Sequence, residues 1–142
     1  MKRTTQELLE LMKSSHSYKD YIAANQESIG QEHMKIARAL TVLLVDKGVS
    51  KAEVIARSGI EIHYAYQIFS GVKTPTRDKV LMLCVGFGLD VEETQRILKI
   101  TGYAQLYSKD KRDNVILFGL TKQLSVIDIN DLLYEMHLEL LA

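Results

Sequence analysis

The residue types that most often perform catalysis or bind metals are few and scattered in this sequence. Its four histidines are His16, His33, His63 and His137, and none has a second ligand at the short spacing typical of a metal site. The single cysteine, Cys84, can complete neither a zinc knuckle nor an internal disulfide. No set of Ser, His and Asp or of Cys and His indicates a nucleophile with its base. We therefore expect no metal site, no cofactor and no enzyme activity.

Two other local patterns are better interpreted as structural. The run Gly86-Phe87-Gly88 contains two glycines, but no phosphate-loop pattern follows it, so a nucleotide site is not expected. Glu92 and Glu93 fall on an amphipathic segment, where adjacent carboxylates usually face solvent. Cys84 lies in the apolar run Val80–Leu89, which is too short to span a bilayer. We interpret Cys84 as a reduced core thiol; a reactive cysteine is the alternative, but no cationic neighbour in sequence would lower its pKa.

The charge balance limits the classes of partner. The 142 residues include 18 Lys plus Arg and 18 Asp plus Glu, so the chain lacks an overall basic footprint for nucleic acid. Residues 32–100 contain ten basic and eight acidic side chains, whereas residues 101–142 contain four and six. The small positive excess therefore falls in the middle of the chain. Polar residues follow Met1-Lys2-Arg3, which predicts no signal peptide and a cytoplasmic protein without a membrane segment.

Periodicity predicts helices and no sheet. Apolar residues recur at i, i+4, i+7 and i+8 from Ile36 and predict a helix over Gln31–Lys47, with Gly48 as its stop. Residues 1–30 are expected to form two short helices, one behind Thr5 and one behind Ser17. No internal repeat is obvious along the chain.

Residues 31–100 are predicted to contain five helices joined by short turns marked by glycine. Ser50 and Glu53 have capping-box spacing at the start of the second of these helices, and Gly59 ends it. A third short helix covers Glu61–Ser70. The caps expected for the following helices are Thr76, Asp90, Ser108 and Ser125.

The short helices over residues 51–58 and 61–70, joined by a tight turn that begins with glycine, have the spacing of a helix-turn-helix. The surrounding sequence resembles the phage-repressor-like helix-turn-helix family, named for the xenobiotic response element. The matching positions are Val49, Ser50 and Glu53 at the opening, Gly59 and Ile60 in the turn, Ile68, Gly71 and Pro75 at the exit, and the later stretch GFGLDVEET. The resemblance covers about half of the chain, residues 31–100.

This resemblance implies an all-α protein with a lambda-repressor-like five-helix DNA-binding domain at residues 31–100. Helical extensions flank it at residues 1–30 and 101–142, and the C-terminal extension either packs on the core or dimerises. The implied function is sequence-specific DNA binding, as a transcriptional regulator of bacterial or phage origin. The expected partner is double-stranded DNA, bound by a homodimer on two half-sites about 34 Å apart.

By motif position, the residues that face the DNA groove are Ile62, His63, Tyr66 and Gln67. Gln67 can pair with adenine, and His63 can donate or accept a hydrogen bond at a base edge. Ile62 can contact a thymine methyl group, and Tyr66 can bond a phosphate. The expected phosphate contacts come from the cations around the helix and its exit loop, which are Lys51, Lys73, Arg77 and Lys79.

A different use of the same helix stays open. Exposed Ile, His and Tyr side chains on one helix face also suit a protein-binding patch. The alternative function is therefore an interaction module, in which Ile62, His63 and Tyr66 bind a regulatory or signalling protein.

Several residues depart from the family pattern. Phe69 replaces a glutamate of the exit motif, and Glu61 replaces the usual Ser or Thr cap. Ile55 is large where the family has a small residue, whereas Ala65 is small where the family has a branched one. These two positions face each other across the helix crossing in this motif. Their exchange roughly conserves volume, so Ile55 is expected to pack over Ala65.

The substitution Ala65→Ile tests this packing. The added methyl and methylene groups should overpack the crossing and cost about 1–3 kcal/mol of unfolding free energy. Thermal or urea unfolding measures the effect, and an unchanged melting temperature would contradict the proposed packing.

Overall fold

A computed structural model describes residues 4–14, 17–19 and 33–142, and every regular element in these ranges is helical, which confirms the all-α prediction. The chain divides into two compact units, Met1–His33 and Met34–Ala142. The first unit contains α1 (Thr5–Ser14). The second contains α2 (Ile36–Lys47), α3 (Lys51–Ser58), α4 (Ile62–Ser70), α5 (Arg77–Phe87), α6 (Val91–Ile100), α7 (Lys111–Thr121) and α8 (Val126–Glu135).

The cap of α1 lies one residue earlier than expected. The Glu7 N–H donates to the hydroxyl of Thr4 at 3.2 Å, so Thr4 caps the helix and Thr5 is its first residue. Most of the second helix predicted in this unit, behind Ser17, lies outside the described residues.

Local signals define most helix ends in the second unit. The side chains of Ser50 and Thr76 accept the predicted hydrogen bonds at the starts of α3 and α5, and Asp90 forms a complete capping box with Glu93. The glycines that follow α2, α3, α4 and α5 all have positive φ, which ends each helix sharply. These glycines are Gly48, Gly59, Gly71 and Gly88.

Two predicted helix starts in the second unit were wrong. Helix α2 begins at Ile36, since Lys35 has an extended backbone and the Met34 N–H donates to the Ile100 carbonyl at 2.9 Å. The backbone of residues 33–35 is therefore outside the helix that periodicity had extended to Gln31. Helix α7 is capped by the Asp110 side chain rather than by the expected Ser108. The Asp110 carboxylate accepts a hydrogen bond from the Asp113 N–H at 2.9 Å.

Helix α3 packs closely on α5, and α2 packs on α4. A Cβ added to Gly86 of α5 would lie only 2.7 Å from the Val54 carbonyl oxygen, so glycine permits the close approach of α3. Both members of the predicted crossing pair are buried, with Ile55 at 4% and Ala65 at 0% exposure. Cys84 is also buried, as predicted, and burial raises the pKa of its thiol to about 12.

The last four helices form two hairpins that repeat at an offset of 35 residues, which the sequence had not made obvious. The first hairpin comprises residues 77–107 (α5 and α6), and the second comprises residues 112–142 (α7 and α8). Identical residues occupy matched positions in both: Arg77/Arg112, Asp78/Asp113, Val80/Val115, Leu89/Leu124, Val91/Val126, Leu98/Leu133 and Leu106/Leu141.

The matched side chains also make matched hydrogen bonds. The Gln95 amide accepts from the Leu106 N–H at 2.7 Å and donates to the Leu106 carbonyl at 2.9 Å. The Asn130 amide binds the backbone of Leu141 in the same way, at 2.8 and 3.2 Å. Each helix pair therefore holds its own trailing segment with one side-chain amide.

The matched arginines, Arg77 and Arg112, also make equivalent hydrogen bonds. In each hairpin the guanidinium donates to two successive carbonyls of its own trailing segment, at distances between 2.8 and 3.1 Å. Arg77 uses the carbonyls of Ala104 and Gln105, and Arg112 uses those of Glu139 and Leu140.

The two hairpins are joined by a reciprocal exchange of ion pairs. Arg77 binds both carboxylate oxygens of Asp113, at 3.1 and 2.9 Å, and Arg112 binds both of Asp78, at 3.0 and 2.7 Å. A contact that is returned between equivalent residues is the signature of a two-fold relation. We therefore describe the two hairpins as related by an approximate internal two-fold axis.

The exchange also changes the acidity of Asp113. Burial disfavours its charge, but hydrogen bonds from Arg77 and from the Tyr107 N–H outweigh that effect and hold its pKa below the ordinary value. The carboxylate is therefore charged and fully hydrogen-bonded at neutral pH.

The substitution Arg112→Gln should destabilise the second unit. It removes two charge-assisted bonds to Asp78 and leaves that carboxylate partly buried, so the unfolding free energy should fall by about 2 kcal/mol. Urea unfolding followed by circular dichroism gives the value. Lys99→Gln, at an exposed position of α6, is the control and should change little. Equal stabilities of the two variants would contradict a structural role for the exchange.

Candidate nucleic-acid interface

Helix α4 presents the four predicted base-reading residues on one exposed face. Ile62 and Tyr66 are 53% and 44% exposed, and His63 and Gln67 are exposed beside them. Positions i, i+1, i+4 and i+5 lie on the same side of an α-helix. The structure therefore brings together all four side chains that the sequence had selected.

The opposite face of α4 fixes the helix on the core. Ala65 and Ile68 are fully buried, and Phe69 is 6% exposed, with its ring centroid 6.4 Å from that of Phe87 in α5. Phe69 stands where the family has a glutamate, so this chain uses that position for packing. Because three apolar side chains anchor one face, the orientation of the exposed face is well defined.

Lys51 lies beside the exposed face. Its ammonium group is 5.9 Å from the ring centroid of Tyr66 and 5.5 Å from that of Phe69. Both distances fall within the range of a cation–π contact. The first residue of α3 is thereby held next to the face of α4, which the sequence alone did not indicate.

The loop after α4 is tied to that helix. The Lys73 N–H donates to the Gln67 carbonyl at 3.1 Å, and the Tyr103 hydroxyl donates to the Pro75 carbonyl at 2.6 Å. The Lys73 side chain is exposed, three residues after the end of α4. The loop therefore holds one cation at the C-terminal end of α4.

Lys79 makes a cation–π contact with Tyr64, a residue that the sequence had not indicated. Its ammonium group lies 5.4 Å from the ring centroid of Tyr64, a half-buried residue of α4. Lys79 is itself half-buried, and the contact with Tyr64 places its ammonium group beside α4.

Arg77 differs from the other predicted phosphate contacts. Its guanidinium donates to two carbonyls and to Asp113, which occupies its main donors within the fold. The sequence had grouped it with the lysines because it follows the same loop. The available signal against that grouping was the Arg-Asp dipeptide, which recurs at 112–113.

The N-terminus of α4 already contains an anion. The two carboxylate oxygens of Glu61 accept hydrogen bonds from the N–H groups of His63 and Tyr64, at 3.0 and 2.8 Å. These bonds lower the pKa of Glu61. Free N–H groups at a helix start commonly bind phosphate, but here the chain's own carboxylate occupies them. A phosphate at this end of α4 would therefore meet a negative charge.

Comparisons of the chain with models of protein families, with curated proteins and with solved structures found no match. Within the described residues, no group of three or more His, Cys, Asp or Glu side chains is placed to hold a metal ion. No helix in the described part of the chain is long and apolar enough to cross a membrane.

The Glu61 cap should make the stability of the protein depend on pH. A carboxyl whose pKa is lowered by folding stabilises the fold above its unfolded pKa, and this contribution is lost as the pH falls through the folded pKa. The stability advantage of wild type over Glu61→Gln should therefore be largest near neutral pH and shrink in acid. Urea unfolding at a series of pH values measures it.

Glu61→Ser is the matched control, because serine caps helices without titrating. Its stability relative to Glu61→Gln should not fall in acid. A wild-type advantage that is constant with pH would show that the charged cap does not contribute.

Proposed function

We propose that this protein is a sequence-specific DNA-binding transcriptional regulator of bacterial or phage origin. The observation that supports this function best is the geometry of α3, the Gly59 turn and α4. Gly59 has a left-handed backbone, φ 74°, and the turn leaves Ile62, His63, Tyr66 and Gln67 together on the solvent face of the second helix. The resemblance to phage-repressor-like proteins, with their lambda-repressor-like five-helix domain, points the same way.

In the proposed mechanism, α4 enters the major groove. The Gln67 amide offers a donor and an acceptor, the pair of groups that matches an adenine edge. His63 contributes a second polar contact, and Ile62 a contact with a thymine methyl group. A homodimer would present two copies of α4 to half-sites about one helical turn, ~34 Å, apart.

The phosphate contacts are assigned to Lys51, Lys73 and Lys79. Arg77 is removed from this set, because its donors are occupied by Asp113 and two carbonyls. Glu61 keeps phosphates away from the start of α4, so the backbone contacts fall beside the helix and in its exit loop. With about three phosphate contacts per subunit, affinity should fall steeply with salt.

A second candidate function, an interaction module for a regulatory or signalling protein, is favoured by one observation. Besides Ile62 and Tyr66, the exit loop exposes Val72 at 69%. Three exposed apolar side chains on one helix and the loop that follows it suit a protein partner as well as a groove. In this function the same face would bind without a steep salt dependence.

Selection of random-sequence duplex DNA with the purified protein separates the two candidates. The DNA-binding proposal expects enrichment of a defined sequence and binding that weakens steeply as salt rises. If no sequence is enriched and no salt-sensitive binding occurs, the proposal is wrong and the interaction module becomes the better hypothesis.

Two single substitutions should have different effects on the selected DNA. Gln67→Ala should relax base preference at one position, at a cost of about 1–3 kcal/mol. Lys73→Ala should weaken all sequences alike and reduce the salt slope by about one. Fluorescence anisotropy over a salt series measures both. Lys99→Ala, an exposed lysine in the last turn of α6, is the control and should bind like wild type.

A further inference from the structure

The second hairpin exposes a helix face whose counterpart in the first hairpin is buried. In α5, Leu83 and Phe87 are 0% and 5% exposed, on the helix against which α3 packs. The matched residues of α7, 35 positions later, are Phe118 and Lys122. Phe118 is 50% exposed, and Lys122 is exposed with its ammonium group 5.9 Å from the Phe118 ring centroid. The internal two-fold relation therefore leaves one helix-binding face covered and its counterpart open.

A cleft lies beside this open face. It has a volume of about 390 Å³ and lies where α7 begins and α8 ends. In the first hairpin, the matched place contains Lys79 under the Tyr64 ring of α4. Its counterpart, Asn114, is exposed.

The open face has an aromatic centre and basic ends. We define the α7 surface as Lys111, Asn114, Phe118 and Lys122, all of which are exposed. The lysines lie near the two ends of the helix, and Phe118 lies between them. Such a surface suits a helix that exposes carboxylates alongside apolar side chains.

Helix α8 presents a surface of that kind. We define the α8 surface as Ile127, Asp128, Asp131, Tyr134 and Glu135, all exposed on one side of the helix. Ile127 and Tyr134 are 73% and 76% exposed, seven residues apart, with Asp131 between them. Within the described ranges of the chain, none of these three carboxylates belongs to an ion pair. The α8 surface is therefore opposite in charge to the α7 surface, and both expose an aromatic side chain, Tyr134 and Phe118.

We propose that the protein dimerises through these surfaces, with the α8 surface of each copy on the α7 surface of the other. Pairing of two α7 surfaces would oppose lysines, and pairing of two α8 surfaces would oppose carboxylates, so the crossed arrangement is electrostatically preferred. A reciprocal crossed contact forms a closed two-fold dimer. Phe118 and Tyr134 supply the aromatic anchors that commonly dominate interface energy.

Charge reversal tests the crossed arrangement. One variant combines Lys111→Glu with Lys122→Glu, and the other combines Asp131→Lys with Glu135→Lys. Each variant alone opposes like charges at both contacts, so its dimer should be weaker than wild type by about tenfold or more. In an equal mixture, the acidic α7 surface meets a basic α8 surface and the basic α7 surface meets an acidic one. The two variants should therefore form a mixed dimer at wild-type affinity.

Sedimentation equilibrium of the full-length chain without DNA provides the readout, with circular dichroism as the check on folding. Val45→Asp, which places a charge at a 78% exposed apolar position of α2, is the control and should dimerise like wild type. Adding Phe118→Asp to the first variant should abolish the mixed dimer. If the mixed dimer persists, its formation reflects net charge and the proposed interface is wrong.

The proposal is also overturned if the wild-type chain stays monomeric at about 100 µM, where a dimer of micromolar affinity would be populated. It is equally overturned if either variant dimerises like wild type, or if the mixture fails to associate. None of these measurements involves DNA, so failure of the interface and failure of the DNA-binding proposal can be told apart.

Discussion

The bidentate ion pair between Arg77 and Asp113, returned between Arg112 and Asp78, is the interaction on which the arrangement of the second unit depends. Arg77 begins α5 immediately after the loop that follows α4, and its guanidinium reaches both α7 and the segment after α6. Planar two-point pairing fixes orientation as well as distance, and loss of one partner leaves a partly buried charge. The C-terminal extension is consequently part of the same compact unit as residues 34–100.

The exposed face of α4 combines weak intrinsic charge with a rigid support. Buried Ala65, Ile68 and Phe69 hold the helix, while Lys51 is positioned over aromatic rings at its side. The Glu61 carboxylate occupies the N–H groups that often hold phosphate at such a helix. The cations of this region, Lys51, Lys73 and Lys79, therefore lie beside α4 rather than on it.

The duplicated hairpin gives the structure two similar faces in different environments. In the first hairpin, α3 packs on the α5 face, and glycine at position 86 permits its close approach. In the second, the matched position is Thr121, which is exposed, and no described element covers Phe118 as α3 covers its counterpart. Both hairpins have left-handed turns at matched positions. Gly88 and Gly102 of the first hairpin have positive φ, and so do their counterparts Gln123 and His137, which are not glycines. A backbone hydrogen bond closes each turn, from the Leu124 N–H to the Gly119 carbonyl at 2.9 Å and from the Leu138 N–H to the Leu133 carbonyl at 2.8 Å.

The sequence by itself determined the helical class, most helix ends and the exposed residues of α4, because caps, glycine stops and apolar periodicity act within a few residues of chain. The sharp end of α2 and the capping box of α6 follow from such signals. Only the tertiary structure decided the start of α2, the hydrogen-bond partners of the Arg77 guanidinium and the pairing of the two hairpins. These features rest on hydrogen bonds between residues 27 to 66 positions apart, such as Arg77 to Ala104 and Met34 to Ile100. Apart from the repeated Arg-Asp dipeptide, local sequence patterns do not indicate such long-range bonds, so an arginine bound within the fold resembles one that is free to bind phosphate.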